Sequence, residues 1–385
     1  MNTDKFPTHK FDSIETPFYY YNIELLNKTI KTIQAHIEDK PFCVHYALKA
    51  NTNNRLLQHI AKQGFGADCV SGNEILEAIA NGFNPQEIAF AGVGKTDKEI
   101  AIALDNDIFS FNVESIPELQ AINDLAKAKD KIANIALRIN PNVDAQTHSY
   151  ITTGLNENKF GLEEQNIPKV LKLLPSLTSL KLTGLHFHIG SQITELSAFR
   201  NLCSKINTLQ SYFESKGVVL NHINVGGGLG INYENPDEQP IANFSGYFEL
   251  FATYLELREG QKVHFELGRS VVAQCGSLIS RVVYLKEGVK KDFVILDAGM
   301  TDLIRPALYQ ASHHIENLTS DKVTKRYDIV GPICETSDTF AKDFQLNKTQ
   351  RGDLIAIRSA GAYGEVMASR YNCREIAKSY FSDTI

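Results

Sequence analysis

Eight short β-rich runs, each followed by a helical pattern, are what most restrict how this 385-residue chain can fold. The runs are 42–48 (FCVHYAL), 65–70 (FGADCV), 87–91 (EIAFA), 108–113 (IFSFNV), 133–140 (ANIALRIN), 182–189 (LTGLHFHI), 220–226 (LNHINVG) and 262–267 (KVHFEL). Eight strands alternating with helices over about 250 residues fit a (β/α)8 barrel in count and in size. A doubly wound open sheet is the competing arrangement.

The helices carry their own signals. The first starts at Asn22 and places Leu25, Leu26, Ile30, Ile33 and Ile37 on one face. Ser71 with Glu74, Thr96 with Glu99, and Ser115 with Glu118 have capping-box spacing. A long helix is expected over 196–216, with Phe199, Leu202, Cys203, Ile206, Leu209 and Phe213 on one side and Gly217 closing it. After Ser270 the rhythm changes. SLISRVVYL, DFVILDAG, KRYDIVGP and DLIAIRSAG read as strands with little helix between them, and TPFYYYN at 16–22 reads as one more. We therefore expect an α/β chain with a barrel over 22–270. A mainly β domain from 1–21 and 271–385 takes in the N-terminal strand.

Composition removes several functions. There are 45 acidic and 39 basic side chains and no long basic run, which argues against nucleic acid or an anionic membrane as partner. No window approaches the ~20 apolar residues of a membrane span. The first residues, MNTDKFPTHKFDSIETP, lack a signal-peptide core. The cysteines at 43, 69, 203, 275, 334 and 373 form no CxxC or CxxH cluster. No metal site is expected, and a reducing, cytoplasmic setting is.

Barrel active sites lie at the C-terminal ends of the strands. There the sequence places Lys49 after the first strand, His186 and His188 at the end of the sixth, Gly226-Gly227-Gly228 after the seventh and Glu266 to Arg269 after the eighth. Glycines let backbone N–H groups approach an anion, and barrels often hold phosphate with the loops after strands seven and eight. A lysine at a strand mouth is expected to be partly desolvated, which makes its amine nucleophilic. Alone, the glycine run is a flexible turn and Lys49 a surface lysine. Together they suggest pyridoxal phosphate. Glu266 would keep the pyridine nitrogen protonated, giving a stronger electron sink than an arginine would.

YALKAN, HFHIGSQI, GGGLGINY, ELGRS, DAGMTDLIRPALY, GPICETSD and GAYG occur in that order. With them the chain resembles the diaminopimelate decarboxylases, in the fold-type III group of pyridoxal-phosphate enzymes, from about Thr16 to Arg374. The resemblance implies that Lys49 links to the cofactor and that His188 stacks on its ring. It implies that Ser191, Gly227, Gly228 and the turn Glu266, Leu267, Gly268, Arg269 contact phosphate and ring, and that Glu266 partners the ring nitrogen. Cys334 is implied as the proton donor, and Tyr363 as a contact of both cofactor and substrate. Arg269, Arg305 and Tyr309 are implied to hold the substrate's distal carboxylate, and Glu335 its distal ammonium. A homodimer is implied too, with Cys334 and Glu335 reaching the neighbouring subunit's site. The expected reaction is decarboxylation of meso-2,6-diaminopimelate to L-lysine and CO2, the last step of lysine biosynthesis.

In two places the chain departs from that pattern. Leu267 stands where many members have proline, which should alter loop stiffness more than chemistry. The end, YNCREIAKSYFSDTI, lacks the proline often found after the arginine. Competing readings are a related decarboxylase acting on a carboxylated polyamine or basic amino acid, a metal-dependent hydrolase using His186 and His188, and a non-catalytic cofactor carrier.

Overall fold

Neighbouring parallel strands need a crossover between them, and the alternating pattern supplies one after each barrel strand. The computed structural model describes residues 6–142 and 159–385, so the first five residues of the polar N-terminal segment lie outside the described residues. Strand β1 is Phe18–Tyr21. Strands β2 to β9 are Phe42–Ala47, Gly66–Cys69, Ile88–Phe90, Ser110–Val113, Ala133–Arg138, Leu180–His186, His222–Asn224 and Lys262–Leu267. They close in sequence order into a parallel barrel. β9 returns to β2 with His45 opposite Glu266. The open-sheet alternative is thereby excluded.

The chain divides into two compact units. The barrel unit comprises 30–230 and 243–268. Its strands are short because only their middles pair, and the ends turn into loops. The helix at Ser197–Ser215 buries the six side chains expected of it, and Gly217 follows with φ +74°. Phe265 of β9 packs edge-on against Tyr247, Phe248 and Phe251 of the Phe244–Tyr254 helix. Burying each such ring contributes about 1.5–3 kcal/mol. The helix starts differ in detail from the spacing rule. Only Thr96 and Glu99 make both capping-box bonds. Ser71 and Ser115 do cap their helices, but Glu74 and Glu118 reach one residue further back, to the N–H of Val70 and of Glu114. Glu118 is also drawn toward Lys95 at 2.6 Å.

The other unit comprises 1–29, 231–242 and 269–385. Its strands are β10 Gly276–Lys286, β11 Phe293–Leu296, β12 Ile315–Asn317, β13 Thr324–Val330, β14 Thr339–Asn347, β15 Leu354–Ile357 and β16 Lys378–Phe381. They run in the order β12-β15-β10-β11-β13-β14. β1 pairs antiparallel with β10 and parallel with β16. The N-terminal strand is thus part of the β unit, as expected. The C-terminal segment closes against it without the family's proline, and Arg374 donates to the Asp297 carbonyl at 2.6 Å. β12, β14 and β16 were not legible in the sequence. Two are three or four residues long, and β14 carries exposed charges in place of a clean alternation.

Candidate active site

β2 ends at Ala47, and a single tight turn, Leu48–Ala50, carries Lys49 off its C-terminal end. The Lys49 side chain is 41% exposed. What faces it is Asp68 of β3, fully buried, with Oδ2 3.6 Å from Nζ. Burial, and then the charge of Glu266, push the Asp68 carboxyl well above the usual carboxylate range.

Glu266 is the penultimate residue of β9. Its Oε1 accepts from the side-chain amides of Asn112 at 3.0 Å and Asn224 at 2.7 Å, and its Oε2 meets His186 Nε2 at 3.0 Å. Burial alone would raise its pKa. His186 first, then Lys49, outweigh burial and hold it below the ordinary carboxylate range. The surroundings therefore push two buried acids in opposite directions, Asp68 toward its protonated form and Glu266 toward its ionised one.

His188 lies just beyond β7, where the N–H of Gly227 donates to its Nδ1 at 3.3 Å. The proton of the neutral ring is then on Nε2. Burial, then Lys49 and Arg138, push His188 well below the ordinary histidine value. Arg138, the last residue of β6, pairs with Glu114 at 2.9 Å, and its guanidinium lies 4.7 Å from the Phe160 ring centroid. Glu114 also accepts the N–H groups of Gly92 and Gly161. Lys49, Arg138, His186, His188 and Glu266 line one cavity of about 440 Å3.

The three glycines do more than turn the chain. A Cβ on Gly226 would strike the Phe187 carbonyl, one on Gly227 the Glu266 carbonyl, and one on Gly228 the Gly190 carbonyl. Their absence of side chains lets the loops after β7 and β8 and the end of β9 touch backbone to backbone. The Gly226 N–H is occupied by Asn224 Oδ1 and the Gly227 N–H by His188, so the run does not simply present free donors. Ser191 sits in the same loop cluster, next to Ile193, which bridges to Leu229. Leu267 is buried as the last residue of β9, and Gly268 packs against Ala47 and Ala50 beside Lys49.

In the β unit, a second group forms around Tyr233. Arg269 and Arg305 are both buried. Arg269 donates to the Tyr233 hydroxyl at 2.7 Å and lies 4.8 Å from the Tyr363 ring. Arg305 lies 4.7 Å from the Tyr233 ring and opens the short helix that ends at Tyr309. Tyr363 holds φ +57°, a left-handed conformation that is rare for a bulky residue and tolerated where surroundings enforce it. Cys334 and Glu335 are exposed, and Glu335 accepts from the Tyr371 hydroxyl at 2.8 Å.

Several contributors were missed from sequence. Asp68, Asn112, Arg138 and Asn224 each sit inside short strands whose neighbours are apolar, and a polar residue in such a strand was the available signal. Tyr233 closes the GGGLGINY motif without a role being read for it, and Tyr371 carried no signal. Among the described residues, no three His, Cys, Asp or Glu side chains gather as a metal site.

Residues 24–273 match the family model for the pyridoxal binding domain of pyridoxal-dependent decarboxylases, so fold and cavity are those of that class. A diaminopimelate decarboxylase of Bacteroides thetaiotaomicron is 56% identical over 381 residues, 99% of each chain. One from Aquifex aeolicus is 41% identical over 93% of this chain and 84% of its own. The crystal structure of the Helicobacter pylori diaminopimelate decarboxylase complexed with L-lysine superposes with a TM-score of 0.92 at 39% identity, covering 98% of this chain and 94% of that one. The chain belongs to the diaminopimelate decarboxylase family.

Proposed function

We propose that the chain decarboxylates meso-2,6-diaminopimelate to L-lysine and CO2 with pyridoxal 5′-phosphate, closing lysine biosynthesis. The observation that carries this reading is Glu266, bonded by His186, Asn112 and Asn224 on the wall of a cavity it shares with an amine, Lys49. The donor set fits the cofactor: an amine for its carbonyl, a carboxylate for its ring nitrogen and an imidazole for its ring face, in a volume of about 440 Å3. When bound, the cofactor supplies a sink for the electron pair left by departing CO2.

Lys49 would hold it through its amine. Glu266, bonded by His186, Asn112 and Asn224, would keep a proton at the ring nitrogen. His188 would pack on the ring, and Ser191, Gly227, Gly228 and the backbone from Glu266 through Leu267 and Gly268 to Arg269 would hold ring and phosphate. Arg269, Arg305 and Tyr309 bind the distal carboxylate, and an arginine fork suits a carboxylate in a bidentate way. Glu335 would take the distal ammonium, Tyr363 would touch cofactor and substrate, and Cys334 would return a proton to the substrate carbon. In this reading the barrel unit binds the cofactor, and the β unit supplies the substrate pocket and the contacts of a homodimer. The exposure of Cys334 and Glu335 in the single chain supports a role at a neighbouring subunit's site. All six cysteines are free, which suits the cytoplasm. Among the described residues no helix is long and apolar enough to cross a membrane.

The test is a comparison of kcat/KM for meso-diaminopimelate, L-ornithine and L-arginine with the cofactor-loaded enzyme. The diamino diacid is expected to lead by about 10²-fold or more, because the other two leave the buried arginines without an anion. Equal use of ornithine would overturn the assignment of the distal pocket.

A further inference from the structure

His313 holds a place that the reaction described so far does not use. It is buried in the β unit, between two groups of fixed character. Its Nε2 stands 2.9 Å from Arg305 Nη1, and its Nδ1 stands 2.8 Å from the Arg358 carbonyl oxygen. A guanidinium only donates and a carbonyl only accepts. The ring must therefore accept on Nε2 and donate from Nδ1, which permits one tautomer and no added proton. Burial, and then the charge of Arg305, act in the same sense and lower its pKa to about 3. The carbonyl it leans on is itself anchored. Arg358 pairs with Glu316 at 2.6 Å and with Asp237 at 3.3 Å. The imidazole also meets the Tyr233 ring edge-on, centroids 5.1 Å apart, and that ring carries Arg305.

We infer that His313 is a positioning residue for substrate specificity, which fixes the guanidinium of Arg305 for the distal carboxylate. This rests on the reading of Arg305 as a carboxylate ligand. The chemistry explains why a histidine is used. A buried arginine needs its N–H groups satisfied, and an acid in this position would do so at the cost of cancelling the charge. A neutral imidazole satisfies one N–H and leaves the positive charge for an anion. Among the described residues, no carboxylate pairs with Arg305; beside His313, its charged and polar neighbours are Tyr233, the like-charged Arg269 and Tyr363. Two stacked restraints, the Tyr233 face and the His313 nitrogen, then set the direction of the fork.

Two variants separate this role from simple packing. In His313→Gln the side-chain oxygen can occupy the Nε2 position and accept from Arg305. In His313→Asn the amide can occupy the Nδ1 position and reach only the Arg358 carbonyl. With the cofactor-loaded enzyme, His313→Asn is expected to raise KM for meso-diaminopimelate about 10-fold or more with kcat within about 2-fold, the pattern of lost uniform binding. His313→Gln is expected to stay within about 3-fold of the wild-type KM. Arg305→Ala should raise KM further, and adding His313→Asn to it should change nothing more. If Asn and Gln behave alike, or the double variant is worse than Arg305→Ala, the inference is wrong. If Arg305→Ala itself leaves KM unchanged, it is the carboxylate reading that fails. Matching melting temperatures for the two His313 variants would exclude a folding defect as the source of any difference.

Discussion

At the scale of single residues, the site pushes neighbouring acids in opposite directions. Three polar side chains and nearby cationic charge outweigh burial and favour the ionised form of Glu266, while burial unopposed by any hydrogen bond favours the protonated form of Asp68. Glu266→Gln keeps the shape and the amide contacts but removes the charge. It is expected to lower kcat by about 10²-fold or more, with the cofactor still bound, as read by turnover alongside the absorbance of the bound cofactor. An unchanged kcat would show that the carboxylate is not what supports the electron sink. Residue identities were the most legible part of the sequence, since Lys49, His188 and Glu266 do line one cavity. Their states were not legible. Asp68 is what lies against Lys49, yet it comes 19 positions later and is brought there by strand pairing alone.

At the scale of elements, β2, β8 and β9 place His45, His222 and His264 together inside the barrel. His45 Nε2 and His264 Nδ1 share a hydrogen bond of 2.7 Å, and Phe109 stacks on His264 with centroids 4.7 Å apart. Burial lowers all three pKa values, that of His222 to about 3. Burial favours the neutral form of each ring in the folded chain, and each takes a proton near pH 6.5 once unfolded. The unfolded state thus binds more protons below that pH, and stability falls as pH falls, by about 1.4 kcal/mol per pH unit for His222. For His222 the loss runs from pH 6.5 down to about 3. Urea unfolding at pH 7, 6 and 5 should show this decline, and His222→Gln should make it shallower by about one proton. A flat profile would mean that the rings are already charged in the fold. The glycine loops give a second test. Gly227→Ala puts a methyl against the Glu266 carbonyl, so it is expected to lose cofactor binding, measured by absorbance titration, and unchanged binding would contradict the close backbone approach. Barrel strands were legible because each is a compact apolar run bounded by Gly, Asn or Pro. The short edge strands β12 and β16 were not, since so few residues fix no period.

At the scale of the whole molecule, the reading makes each active site depend on two chains. Lys49 and Cys334 would then come from different subunits at each site. Lys49→Ala and Cys334→Ala, each nearly inactive alone, should regain up to about a quarter of wild-type activity when mixed and allowed to exchange subunits, because half the dimers are hybrids with one native site each. No recovery, with exchange verified by mass, would place both residues in one chain's site. The single sequence pointed to this only through its family resemblance, because an exposed cysteine looks the same whether or not a second subunit covers it. The most direct test of the account remains the reaction itself. Purified protein, loaded with pyridoxal phosphate and given meso-diaminopimelate, is predicted to release CO2 and form L-lysine in equal amounts, with turnover lost in Glu266→Gln. Cofactor-loaded protein that forms no lysine would contradict it.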